Sequence, residues 1–194
     1  MRIIAGTKRG MRLFSPRGLD SRPITDRVKE SLFNVLCNYG LPEGAMAADL
    51  FCGVGSLGLE ALSRGAEFVT FVEQNPMIIA TLERNIEKAG FVEESKVIRA
   101  NAFKIGAPVG KKFKISGYGL VFVDPPYVFT EDTGVGSPLS GLLDLLQEQI
   151  TDGGYVVVRT SHRTTLSERY GRFGVIEQRQ WGTMAVTILN LEGK

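Results

Sequence analysis

Apolar positions along the chain recur with two periods, and their alternation predicts a layered α/β fold. Short apolar runs at Arg2-Ile3-Ile4-Ala5 and Met11-Arg12-Leu13-Phe14, joined by a basic loop from Gly6 to Gly10, predict a small hairpin or extended arm. Thr25 is a suitable N-cap, and Val28, Leu32, Val35 and Leu36 repeat at helical spacing as far as Asn38. Residues 45–51 then read as a buried strand ended by a glycine-rich turn. A helix over 57–64, a strand over 68–73, a helix over 76–89 with proline in its first turn, and a strand over 96–100 follow. The apolar run 120–124 is another strand, with a helix over 139–150 and a strand over 155–159 after it.

Strands that are apolar on both faces and alternate with helices belong to a parallel sheet covered on both sides. The tail departs from this pattern, because 173–179 and 184–191 are strand-like runs separated by Gln180-Trp181-Gly182-Thr183. A terminal hairpin is expected there, giving a mostly parallel sheet with an antiparallel edge. Residues 103–119 and 129–138, rich in glycine, read as flexible loops.

With 194 residues and 43% hydrophobic content, the chain supports one core and is short for two ordinary domains. The expected organisation is a basic extension over 1–24 on a catalytic core over 25–194. The first residues lack the apolar run of a signal peptide, and no segment approaches the length of a membrane span, so a soluble intracellular protein without membrane contact is expected. Cys37 and Cys52 stand in apolar surroundings without a CxxC or histidine partner, which reads as two buried thiols and no metal site. His162, in a polar stretch, reads as a solvated loop residue with no role.

Net charge is +2, but residues 1–31 hold eight basic residues against three acidic ones, leaving the remainder at −3. A basic arm on a mildly acidic body suits contact with phosphates, and a solvated arm without a partner would show the same asymmetry.

Asp49-Leu50-Phe51-Cys52-Gly53-Val54-Gly55-Ser56-Leu57-Gly58 is a strand end, a tight turn and a helix start. Glycines there permit positive φ and close approach of a ligand to the backbone. Glu73 ends the following strand, where a carboxylate can accept both hydroxyl hydrogens of a ribose. Gly53, Gly55 and Gly58 also satisfy the GxGxxG pattern of dinucleotide sites, so the motif alone does not separate the two cofactors. Asp49 favours S-adenosylmethionine, because an acid before the loop suits its cationic amino-acid end and would repel a pyrophosphate. Phe51, Gln74, Asn101 and Ala102 complete the expected cofactor set, the Asn101 amide being able to bond an adenine ring.

Asp124-Pro125-Pro126-Tyr127 follows the 120–124 strand, so it is expected at the same sheet edge as the glycine loop. Consecutive prolines stiffen the turn and leave carbonyls free to accept hydrogen bonds. An exocyclic base amine is a poor nucleophile, since its lone pair delocalises into the ring. Asp124 and the Pro125 carbonyl could bind its hydrogens and direct the lone pair at a methyl group, while Tyr127 stacks on a base swung out of its helix.

Together with Arg22-Pro23-Ile24-Thr25-Asp26-Arg27-Val28-Lys29-Glu30 and the opening Met1-Arg2-Ile3-Ile4-Ala5-Gly6, these motifs resemble the bacterial RsmD-type 16S ribosomal RNA guanine-N2 methyltransferases over most of the chain. The resemblance implies a three-layer, Rossmann-like class I methyltransferase fold with seven strands and an antiparallel C-terminal strand. It implies action as a monomer on guanine N2 of 16S ribosomal RNA, within a partly assembled small subunit. It also implies that Thr25 helps close over the cofactor and that Arg2, Lys8, Arg9, Arg12, Arg22 and Arg27 touch RNA. Asn101 stands where such enzymes usually carry an acid, and residues 130–138 look like an insertion on the target side. A DNA adenine-N6 methyltransferase would use nearly the same tetrad. The glycine pattern also admits an NAD-dependent oxidoreductase, and the basic arm a non-enzymatic ribosome-assembly module.

Overall fold

A computed structural model of the protein describes residues 1–16, 24–111 and 115–193. Eight strands form one sheet: β1 (Met46–Leu50), β2 (Phe68–Glu73), β3 (Ser95–Arg99), β4 (Tyr118–Val123), β5 (Ile150–Ser161), β6 (Arg169–Tyr170), β7 (Phe173–Trp181) and β8 (Met184–Leu191). Their order across the sheet is 3-2-1-4-5-8-7-6. The first five pair in parallel, and β8 runs antiparallel to β5 and β7. This is the class I methyltransferase arrangement of seven strands, with the two-residue β6 added at the rim. The terminal hairpin forms as expected, but its last strand inserts inside the sheet, between β5 and β7, and β7 with β6 makes the edge.

Five helices cover the two faces: α1 (Asp26–Cys37), α2 (Ser56–Ser63), α3 (Pro76–Ala89), α4 (Ala102–Ile105) and α5 (Pro138–Leu146). Successive strand residues feed opposite cores. Ala47, Leu120, Phe122 and Val157 pack with α1, α2 and α3, while Ala48, Val121, Val123, Val156 and Val158 pack with α5. Side-chain caps start α1, α3 and α5: Thr25 Oγ1 accepts from Val28 N–H, Asn75 Oδ1 from Met77 N–H, and Ser137 Oγ from Ser140 N–H. Gly90, with φ +70, ends α3.

The helix expected over 139–150 stops at Leu146; residues 147–149 form a turn, and Ile150 opens β5. The loops at 103–119 and 129–138 are partly built structure. The first contains α4, and the second is pinned where Thr133 Oγ1 donates to the Thr165 carbonyl and Tyr170 Oη to that of Thr133. Cys52 is buried as expected, but Cys37, at the end of α1, is exposed. His162 is half-buried beside Thr183, whose carbonyl takes its backbone N–H.

The N-terminal arm is fastened down. Ile3 and Leu13 lie in the core, and an antiparallel bridge joins Arg2 to Arg12. The Glu60 carboxylate in α2 accepts the Ile4 and Ala5 N–H groups at 2.7 and 3.0 Å, and Asn85 in α3 bonds both the N–H and the carbonyl of Phe14. Lys29, counted above with the arm's basic charge, is fully buried and pairs with Glu60 at 3.3 Å. It is therefore withdrawn from any contact with phosphate. Gly6 holds φ +78 against α2, where an added Cβ would sit 1.7 Å from the Ser63 carbonyl oxygen. Gly6→Ala is expected to lift the arm and cost at least about 1 kcal/mol. Faster hydrogen exchange at Ile4 and Ala5 would report it.

No helix among the described residues is long and apolar enough to cross a membrane.

Candidate active site

The sheet order reverses between β1 and β4, so a crevice opens at their carboxyl ends. Leu50 and Val123 are register partners there, and Asp124 N–H reaches the Leu50 carbonyl. A cleft of about 630 Å³ lies above, lined on one side by Asp49, Phe51, Gly53 and Glu73, and on the other by Asp124, Pro125, Pro126 and Tyr127. The two motifs thus share one cavity.

Phe51 leaves β1 with φ +59, an unusual value for a side chain with a Cβ, and its ring packs on Phe103 at 4.7 Å between centroids. Phe103 in turn meets Phe129 at 5.2 Å, forming an aromatic wall along the cleft. Gly53, with φ +55, donates its N–H to Glu73 Oε2 at 3.2 Å. The other two loop glycines serve packing. Gly55 caps α2 with φ +86, where a Cβ would strike Leu82, and a Cβ on Gly58 would lie 2.3 Å from the Phe71 ring. Neither lines the cleft.

Asp49 is buried and accepts the Gly58 N–H at 2.8 Å. Burial pushes its carboxyl well above the usual range, the Gly58 N–H opposes that, and the carboxylates of Asp124 and Glu73 push it further up. No salt bridge among the described residues reaches it, so a cationic ligand group is the complement it lacks. Glu73 Oε1 also accepts the Gln74 and Asn75 N–H groups at 2.8 and 2.9 Å, which aims the carboxylate along the loop.

Asp124 forms an ion pair with Arg159 of β5, Nε to Oδ1 at 2.5 Å. Burial raises the Asp124 carboxyl and the guanidinium holds it down. Among the described residues no hydrogen bond takes the Pro125 carbonyl, whereas that of Pro126 accepts from Phe129 N–H. Tyr127 starts a 3-10 turn, Tyr127–Thr130, and stands half-buried at the cleft.

Gln74, Asn101 and Ala102 line the cavity as well, but Asn101 is also the N-cap of α4, its Oδ1 accepting from Phe103 N–H at 2.9 Å. That leaves its amide hydrogens as the groups to offer a ligand. Thr25 is exposed, uses its hydroxyl to cap α1 and does not line the cavity, whereas Ile24 does. Met1 and Ser15 of the arm line it too. Arg9, Arg12 and Arg27 are exposed, Lys8 is half-buried over the Phe91 ring, and Arg2 pairs with Asp26. Arg22 lies outside the described residues.

Sequence reasoning missed Arg159, Phe103, Phe129, Asn75 and Ile78 as lining residues. Only the aromatics carried a signal, as apolar residues inside segments read as loops.

A family described as conserved hypothetical protein 95 matches residues 1–190. The chain belongs to this family. It is 32% identical to YlbH of Bacillus subtilis, provisionally named an rRNA methyltransferase, over the whole of both chains. It is 40% identical to ribosomal RNA small subunit methyltransferase D of Escherichia coli over 129 residues, 66% of this chain and 60% of that protein. The solved structure of Escherichia coli yhhF, provisionally named a methyltransferase, superposes with a TM-score of 0.79 at 30% identity, covering 100% of this chain and 99% of that one. By family and by fold the protein is a class I methyltransferase. The family match also spans the docked arm.

Proposed function

We propose that this enzyme transfers a methyl group from S-adenosylmethionine to the exocyclic N2 of a guanine in small-subunit ribosomal RNA, acting in the cytoplasm as a monomer on a partly assembled particle. The observation that carries the reading is the single cleft in which Asp49 and Glu73 face Asp124-Pro125-Pro126-Tyr127. The cavity fits the cofactor: a buried carboxyl without a cation for its α-amino group, a second carboxylate for ribose hydroxyls, and the apolar walls Phe51, Ile78 and Ala102 for adenine. S-adenosylmethionine supplies an electrophilic methyl group on a sulfonium.

The chain's own residues do the rest. Asp124 Oδ2 and the Pro125 carbonyl accept the two hydrogens of the amine, which fixes it and turns its lone pair toward the methyl. Tyr127 gives the extruded base a stacking surface worth about 1 to 3 kcal/mol. As N2 gains the methyl group it sheds a proton, and the Asp124 carboxylate, its basicity raised by burial, is an acceptor in contact. Arg9, Arg12 and Arg27 offer exposed charge to RNA phosphates.

Transfer of labelled methyl to small-subunit particles, naked ribosomal RNA and duplex DNA tests the substrate. Labelling of the particles is expected, and labelling of DNA alone would contradict the proposal. Asp49 adds a pH dependence. Its carboxyl, raised when the cleft holds no cation, is drawn down by the cofactor's ammonium, so binding releases a proton when pH lies near the raised value. Affinity for S-adenosylhomocysteine should fall as pH drops through that range, and Asp49→Asn should weaken binding and flatten the dependence. Calorimetry in buffers of different ionisation enthalpy measures both.

A further inference from the structure

We infer that Arg159 is a positioning residue for the transfer: its guanidinium holds Asp124 as a hydrogen-bond acceptor and presents Nη1 to an acceptor atom of the target base beside the amine. The inference rests on the function proposed above. Arg159 stands near the end of β5, next to β4, so its side chain reaches the cleft from the strand adjoining the Asp-Pro-Pro-Tyr turn. Nε is committed to Asp124 Oδ1, and the side chain is only 12% exposed. Nη1 is buried and has no hydrogen-bond partner among the described residues.

A buried N–H without an acceptor is costly, and native structures rarely leave one without a use. Here the missing acceptor belongs to a ligand. An aminopurine edge carries its amine next to a ring nitrogen with a free lone pair, N3 in the case of guanine N2. Asp124 accepting from the amine while Arg159 donates to the ring would match that edge with two charged groups already locked together. The pairing also fixes rotation of the base in its own plane, which one carboxylate cannot do.

The charges around Asp124 make the same demand. Asp49 faces it from β1, with Glu73 of β2 beyond, and Arg159 of β5 is the positive group set against them. Without the guanidinium, burial would favour protonated Asp124, which cannot accept from the amine through that oxygen.

The test is kcat/KM against pH on small-subunit particles for the wild type, Arg159→Gln and Arg159→Lys, with S-adenosylhomocysteine affinity as a check on folding. In Arg159→Gln the acid limb should move up by about one pH unit or more, with kcat/KM on the acid side of the limb down about tenfold or more, because an opposite charge beside a carboxyl is worth that much. In Arg159→Lys the limb should return to its wild-type position while kcat/KM stays low at every pH, since an ammonium restores the charge without the second arm of the fork. A glutamine variant that binds S-adenosylhomocysteine but loses activity equally at all pH values overturns the inference. If that variant does not fold, the lysine enzyme decides. A wild-type limb with reduced kcat/KM supports the inference, and a displaced limb or full wild-type efficiency overturns it. A wild type that methylates no particle would instead refute the proposed function.

Discussion

Asp124→Ala is expected to lower methyl transfer by about a hundredfold or more while leaving S-adenosylhomocysteine binding nearly unchanged. The carboxylate belongs to the target side of the cleft, and the acids nearest the glycine loop are Asp49 and Glu73, so its removal should not touch the cofactor's own partners. What disappears is one of two acceptors that fix the amine. A misdirected lone pair and a free N–H both keep the nucleophile weak. The loss should appear in kcat, because the stacking surface at Tyr127 still retains the base. Some stability is also lost, since Arg159 is left buried without its partner. Single-turnover assays at saturating cofactor isolate the chemical step. Turnover within a few-fold of the wild type would remove Asp124 from the mechanism.

Glu60→Ala is expected to destabilise the fold by about 3 to 5 kcal/mol, because it removes the buried counter-charge of Lys29, whose ammonium keeps only the Arg2 carbonyl and Ser56 as acceptors. The same carboxylate also holds the Ile4 and Ala5 N–H groups and Arg64 Nε at 2.8 Å, so α1, α2 and the arm all meet on it. Burial already draws the Lys29 ammonium below the ordinary lysine value, against the pull of Glu60. A lysine whose folded value lies below its unfolded one makes the folded state bind fewer protons than the unfolded chain. Stability attributable to it therefore rises with pH up to the unfolded value. Without Glu60 the folded value drops further, so the deficit of Glu60→Ala should shrink as pH rises from neutrality toward 10, near the unfolded value. Denaturant unfolding at several pH values measures this. A deficit that stays constant would mean that Lys29 escapes to solvent in the variant.

The sheet centre and most helices were readable because β1, β2 and β4 are apolar on both faces and α1, α3 and α5 carry side-chain caps. Thr25, Asn75-Pro76 and Ser137-Pro138 mark starts that coincide with the helices found. The end of α5 was not readable, since Ile150 continues an apolar helical spacing and only the neighbouring strand β4 recruits it into β5. The residues that the sequence singled out and that line the cleft fall in short motifs at strand ends: Asp49 to Gly53, Glu73-Gln74, Asn101-Ala102, and Asp124 to Tyr127. Gly55 and Gly58 were credited to the ligand although packing against Leu82 and Phe71 demands them. Arg159 escaped because it lies 35 positions from Asp124 and looks like the end of an ordinary strand. Lys29 belongs by sequence to the basic stretch 1–31, yet it lies on the helical stripe of Phe33 and Leu36, and Glu60 is likewise embedded in an apolar run. A charged residue on an apolar stripe is the signal that would have paired them.

The most direct measurement is nucleoside mass spectrometry of ribosomal RNA from small-subunit particles incubated with the enzyme and isotope-labelled S-adenosylmethionine. Label is expected in N2-methylguanosine with the wild type and none with Asp124→Ala. Label in N6-methyladenosine, or equal labelling with both proteins, would contradict it.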